Sequence, residues 1–125
     1  MQNLGTTIEY DYVILGGGCA GLQLANQIIW KLGAPECRQK KLRVLVLEAR
    51  KTYQDDRTWC FWDSGSSPYC SWATTKFNSW SFSTNNQDPC IHLSDRYQYF
   101  CLKGIEFYQK SLALIRESPN VFIEL

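Results

Sequence analysis

The 125-residue chain predicts an α/β fold, an open parallel sheet with a small β-hairpin excursion. Three observations carry that reading. A short apolar run, Tyr12 to Leu15, enters a glycine turn and then a long amphipathic stretch. A second, β-branched apolar run follows from Leu42 to Leu47. After a polar, turn-rich middle the chain returns to a helical stripe and a third apolar run, Val121 to Leu125. The order β-α-β, hairpin, α-β is that of parallel strands joined by crossovers, with the hairpin as a side sheet.

Residues 1–10 read as a polar lead-in, and Tyr10-Asp11 opens the first strand. The turn that follows is Gly16-Gly17-Gly18-Cys19-Ala20-Gly21, in which Gly16, Gly18 and Gly21 fit the G-x-G-x-x-G spacing. Each glycine has its own task. Gly16 permits the tight turn, Gly18 leaves the backbone open to a diphosphate, and Gly21 lets the helix approach the sheet. The helix start directs its N–H groups and positive dipole end at anionic phosphates. With a strand before it and a helix after it, the turn predicts a Rossmann-like unit binding FAD or NAD(P). Gly16, Gly17, Gly18, Cys19, Ala20 and Gly21 are its candidate diphosphate-binding residues.

Ala20, Leu22, Leu24, Ala25, Ile28, Ile29 and Leu32 recur at spacings of three and four, an apolar helical face. Gly33 and Pro35 mark its end. The second strand closes on Glu48-Ala49, where an acid can accept both ribose hydroxyls of an adenosine. The interval from the glycines to such an acid is usually about twenty residues. Here it is longer, and the polar insert 34–41 absorbs the excess.

From Lys51 to Trp62 the chain is dense first in charge and then in aromatics. Residues 63–75 carry loop signals. Phe77 to Thr84 alternates bulky and small polar residues, 85–89 is a turn cluster, and Cys90 to Leu93 is the return strand of a hairpin. Ser94 or Asp95 caps a region leading into a helix over Phe100 to Ile115, with Phe100, Ile105, Tyr108, Leu112 and Ile115 as its stripe. Ser118-Pro119-Asn120 stops it. The expected organisation is one domain over 1–125. It contains a nucleotide-binding unit at 11–50, a motif loop and hairpin at 51–93, and a helix and third strand at 94–125.

Composition narrows the function. An apolar fraction of 45% is that of a folding domain rather than a disordered segment. A net charge of +1 gives no electrostatic case for nucleic acid. The N-terminus lacks the basic and apolar regions of an export signal, and no apolar run approaches the roughly twenty residues of a spanning helix. Cys19, Cys37, Cys60, Cys70, Cys90 and Cys101 are scattered without a C-x-x-C pair, and His92 is the only histidine. They read as free thiols in a reducing cytoplasm, with no metal site.

The stretch Asp55-Asp56-Arg57-Thr58-Trp59-Cys60-Phe61-Trp62 leaves the carboxyl end of the second strand, where ligands of such sheets bind. Arg57 suits a phosphate or a flavin, and Trp59 and Trp62 suit the wall of an apolar tunnel. A surface ion pair with aromatics packed beneath a loop explains the same residues equally well.

The nucleotide fingerprint followed by this stretch resembles the lycopene cyclase family, the bacterial β-cyclases especially. A second likeness lies in Tyr97-Gln98-Tyr99-Phe100-Cys101-Leu102-Lys103-Gly104-Ile105-Glu106-Phe107-Tyr108, similar to that family's tyrosine-rich lead into a helix. The resemblance covers essentially the whole chain. Asp56-Arg57 replaces the Asn-His pair of many members, and Cys60 stands where serine is frequent.

The resemblance implies a flavoprotein of the intramolecular lyase or isomerase class that closes the linear ends of lycopene into β-ionone rings. It implies reduced FAD, with NADPH as the reductant, in a reaction without net redox change. It also implies lycopene or a related carotenoid as substrate, and a cytoplasmic protein compatible with peripheral attachment at the inner membrane face. Arg57, Thr58 and Trp59 join Glu48 and Ala49 as cofactor-binding candidates on this basis. Family members are several times longer, and nothing here matches their later acidic region, so no catalytic residue is assigned. The expectation is an N-terminal FAD-binding portion that is inactive alone. A different FAD-dependent hydroxylase or oxidoreductase, and a non-catalytic dinucleotide-binding fragment, are the competing readings.

Overall fold

The computed structural model describes residues 7–37 and 41–125. Positions 1–6 of the expected lead-in and 38–40 of the insert lie outside the described residues. The chain divides into two compact units, one of residues up to Tyr53 together with Ser111–Leu125, the other Gln54–Lys110.

The first unit is built on strands β1 (Tyr12–Leu15), β2 (Val44–Leu47) and β8 (Val121–Glu124), all parallel, in the order β1-β2-β8. Tyr12 pairs with Val44, and Val44 with Val121, so all three run in step. This is the expected mixed α/β fold with a parallel sheet. β2 is central because it is the strand that alternates Val and Leu: Val44 and Val46 are fully buried, and β-branched side chains pack well on a pleated, covered surface. β1 is an edge strand and leaves Leu15 80% exposed.

Helix α1 (Cys19–Gly33) lays Leu22, Ala25 and Asn26 into the core. It ends where Gly33 and Pro35 suggested, though not through a left-handed glycine. Ala34 is extended (φ −67°, ψ 143°) and donates its N–H to Lys31 O, the conformation that a following proline imposes. The amide of Asn26 donates to Ser111 Oγ at 2.9 Å, and both residues are fully buried. Arg43 lies over the rings of Tyr10 and Phe122, 5.2 Å from each centroid.

The second unit holds an antiparallel sheet of β3 (Thr58–Asp63), β7 (Gln98–Lys103) and β4 (Thr75–Phe77), in the order β3-β7-β4. A separate two-stranded hairpin joins β5 (Ser79–Thr84) to β6 (Gln87–Leu93). The hairpin is the predicted excursion, with its turn nearer Thr84 than expected, so that Asp88 and Pro89 fall within β6. Helix α2 runs over Gly104–Glu117.

Two boundaries depart from the sequence reading. Phe77, expected in the hairpin strand, belongs to β4, which begins inside the expected loop at Thr75. Phe100 belongs to β7, not to the helical stripe. Tyr99, Phe100, Cys101 and Leu102 pair with Trp62, Phe61, Cys60 and Trp59 of β3, and Phe100 and Leu102 are buried on one face. A period of two over 98–103 therefore precedes the helical period, and the helix begins at Gly104. Among the described residues no helix is long and apolar enough to cross a membrane.

Candidate functional site

In the first unit the glycine turn links β1 to α1 at the carboxyl end of the sheet. Gly16 has φ +99°, a left-handed conformation open to glycine without strain, and its N–H continues the ladder to Leu47 O at 2.8 Å. A Cβ on Gly21 would overlap Gly16 O and come within 3.3 Å of Ile14 Cγ2. A Cβ on Gly17 would overlap Tyr53 Oη and sit 3.0 Å from Glu48 Cβ. Those three glycines answer to the chain's own backbone and packing.

Gly18 does not. It adopts φ −78°, ψ −166°, ordinary extended backbone, and a Cβ there would meet nothing nearer than Arg50 Nη2 at 3.9 Å. Gly18 is also the N-cap of α1, where no side chain caps the helix and no acid occupies its first turn. Within α1 itself no carboxylate compensates the positive end of the helix, an arrangement suited to an anion.

Glu48 stands directly beside this turn. Its Oε2 accepts from Gly17 N at 2.7 Å and from Arg50 Nη2 at 3.2 Å, and its Oε1 accepts from Arg50 N at 2.8 Å. Arg50 Nε lies 3.2 Å from Oε1. The Arg50 side chain, then its backbone N–H and that of Gly17, hold the Glu48 carboxyl down at about 2, against a smaller opposing effect of desolvation. Its side chain is only 8% exposed. Tyr53 Oη donates to Gly17 O at 2.8 Å and carries the Arg50 guanidinium 4.7 Å above its ring. An open depression of ≈ 470 Å³ lies alongside, lined by Gly16, Leu47, Glu48, Ala49, Glu124 and Leu125.

The structure thus brings together Gly16, Gly17, Gly18, Cys19, Ala20, Gly21, Glu48 and Ala49. Arg50 and Tyr53, absent from the sequence-based candidates, belong to the same cluster. An arginine two residues past the strand-end acid was the available signal for the first. Nothing local marked Tyr53, whose hydroxyl reaches back 36 positions.

In the second unit Thr58 and Trp59 open β3, and Arg57 immediately precedes it. The Arg57 side chain is 69% exposed and its Nε lies 3.8 Å from Asp56 Oδ2. Asp55 Oδ1 accepts from Ile105 N at 3.4 Å, Arg57 O accepts from Gly104 N at 2.6 Å, and Tyr108 Oη donates to Asp56 Oδ1 at 3.2 Å. The paired acids therefore hold the first turn of α2, a use of carboxylates that the helix dipole favours. Trp59 packs edge-on against Phe107 (5.1 Å) and Tyr108 (5.5 Å). Trp62 lies on the opposite face of β3 against Trp80 (4.3 Å) and Tyr99 (4.6 Å). Among the described residues no group of three or more His, Cys, Asp or Glu is placed to hold a metal.

Comparison with known proteins fits this geometry. The structure is similar to the crystal structure of p-nitrophenol 4-monooxygenase PnpA from Pseudomonas putida DLL-E4, with a TM-score of 0.64 at 17% identity. The match covers 92% of this chain but 31% of that one, so the chain spans about a third of that enzyme's length. At this identity the likeness concerns the fold. No curated protein matches the chain. Residues 11–100 match the family described as "Lycopene cyclase protein", a span from the start of β1 into β7. That match covers most of the sequence, and the chain belongs to the lycopene cyclase family.

Proposed function

We propose that this chain is the FAD-binding part of a lycopene β-cyclase. Gly18 carries the proposal: neither its backbone angles nor its neighbours require a glycine. A glycine there suits a ligand that must approach the backbone closely, as a diphosphate does. Gly16 to Gly21, with Cys19 and Ala20 in the first turn of α1, would hold that diphosphate. Residues 11–50 form the binding unit in this reading, with 51–93 and 94–125 completing the organisation expected from the sequence.

Glu48 and Ala49 would face the adenosine ribose. A carboxylate offers about four acceptor positions, and Gly17 and Arg50 fill those of Glu48. Ribose hydroxyls would reach it by displacing the Arg50 guanidinium, whose side chain is 38% exposed, while the Gly17 N–H stays in place. Arg57, Thr58 and Trp59 are assigned to cofactor contact on the strength of the family motif alone.

When bound and reduced, with NADPH as the reductant, FAD supplies an electron-rich ring able to stabilise a carbocation electrostatically. The reaction is the closure of the linear ends of lycopene or a related carotenoid into β-ionone rings. It needs a positioned acid and base in a dry pocket. No residue here is assigned to either part. The chain alone is expected to be inactive, and in the cell to be a cytoplasmic protein compatible with peripheral attachment at the inner membrane face.

Fluorescence titration with FAD tests the binding claim. The parent should quench flavin fluorescence saturably, and Glu48→Ala should bind roughly ten- to a hundred-fold more weakly, the cost of losing charged hydrogen bonds. Equal affinities would remove Glu48 from the site. Joined to the remainder of a family member, the chain should convert lycopene to cyclised pigment. A hydroxylated product would instead favour the flavin hydroxylase reading.

A further inference from the structure

Among the cavities, exposed faces and side-chain clusters outside the nucleotide turn, a thiol pair in the second unit carries an inference of its own. Cys60 of β3 and Cys101 of β7 are directly opposite one another in the antiparallel ladder. Their Sγ atoms are 3.2 Å apart, although the residues are 41 positions apart in the chain. Opposed residues in such a ladder have Cα atoms about 4.5–5.5 Å apart, inside the window that a disulfide spans. Cys101 is also held from its other side, its carbonyl accepting from Thr74 N at 2.9 Å and from Thr74 Oγ1 at 3.1 Å. Closing the sulfurs from 3.2 Å to about 2.05 Å takes side-chain rotation and a small approach of the two strands. Cys60 is exposed and Cys101 half-buried, so a small oxidant has access.

We propose that Cys60 and Cys101 form a reversible cross-strand disulfide, the oxidant being a peroxide. The Cys60 thiolate attacks one peroxide oxygen. An S–O bond forms and the O–O bond breaks, and the other oxygen leaves as hydroxide, which takes up the proton released from the Cys60 thiol and becomes water. Cys101 Sγ then attacks the sulfenic sulfur, forming the S–S bond as the S–O bond breaks. The departing hydroxide takes up the Cys101 proton and leaves as a second water. Two electrons pass from the two sulfurs to the peroxide.

Cys60 acts first because it is the more exposed sulfur. The Cys101 thiol is pushed up by its hydrogen bond with Cys60, and then by burial, which leaves it the slower of the two to attack the peroxide. The bond would tie β3 to β7 across a loop that contains β4 and the β5–β6 hairpin, and so would rigidify the Thr58–Asp63 stretch.

The test is stoichiometric hydrogen peroxide on the 125-residue chain, followed by alkylation, intact mass and a peptide map. Two of the six thiols should be lost, the mass should fall by about 2 Da, and one cross-linked peptide should join Cys60 to Cys101. Dithiothreitol should restore both thiols, and the oxidised chain should melt several degrees higher than the reduced one. Cys60→Ser and Cys101→Ser should each abolish the cross-link. Cys90 is exposed and lies 3.4 Å from His92 Nε2, which makes it the internal control. A map of the oxidised parent with both Cys60 and Cys101 still alkylated would overturn the proposal, and so would a cross-link through Cys90 or any other cysteine.

Discussion

Replacing Gly18 and Gly21 by alanine, one at a time, separates space kept for a ligand from space used by packing. At Gly18 the backbone angles suit any residue, and the added methyl would meet nothing closer than 3.9 Å. Two small effects oppose each other there. Reduced freedom of the unfolded chain favours alanine by ~0.4–1 kcal/mol, and glycine is the better N-cap by a similar amount. Stability should change by less than about 1 kcal/mol. The same methyl would hold a phosphate away from backbone N–H groups. Each such charged hydrogen bond contributes ~1.5–3 kcal/mol, so FAD affinity should fall at least ten- to a hundred-fold.

At Gly21 the balance is reversed. The methyl would overlap Gly16 O and crowd Gly16 C at 3.1 Å and Ile14 Cγ2 at 3.3 Å. Only a shift of α1 away from β1 relieves that. Overpacking of this kind costs ~1–3 kcal/mol, and a backbone oxygen yields less readily than a side chain. Urea unfolding with flavin titration on both variants gives the two readings. An alanine at 18 with the parent's affinity, or an alanine at 21 with the parent's stability, would refute the division of roles.

Three further outcomes are expected. The Glu48 carboxyl is lowered from 4.5 to about 2, so the stability it contributes is complete above its unfolded-state value and is lost as pH falls from about 4.5 toward 2. The melting midpoint of the parent should therefore drop relative to Glu48→Gln across that window, and a constant difference would show that the Arg50 pairing contributes nothing. Ser111→Ala takes the buried hydroxyl from the Asn26 amide and should cost about 1–3 kcal/mol in urea unfolding; an unchanged midpoint would count against that bond. Gly104→Ala puts a methyl 2.8 Å from Arg57 O at the start of α2, and should cost about 1–3 kcal/mol, read as loss of helical circular dichroism at lower urea.

The glycine turn was legible because its determinants are local. A strand, a glycine at positive φ, a glycine under a close backbone approach and an amphipathic helix each leave a signature within a few residues. Leu42 to Leu47 read as a strand for the same reason, and the structure keeps Val44–Leu47 of it. The β-α-β order then favoured a parallel β1–β2 pair, since a long helical connection is what parallel neighbours need. Val121 onward read as a third strand from composition, and the structure adds its register on β2.

Tertiary structure decided what depends on partners far along the chain. Phe100 satisfies a helical stripe with Ile105 and Tyr108 and also a strand alternation with Leu102, and no local property chooses between them. Pairing of 98–103 with both β3 and β4 settles it in favour of the strand. The same pairing turns the Thr58–Trp62 text into β3 and divides its aromatics: Trp59 faces Phe107 and Tyr108, Trp62 faces Tyr99 and Trp80. Arg50 and Tyr53 reach Gly17 only because β2 lies beside β1. Cys60 and Cys101 read as scattered thiols until an antiparallel register set them side by side. Strand register is a choice among non-local pairings, made by the burial of whole faces at once, and so it is written in the fold and not in any short stretch of the chain.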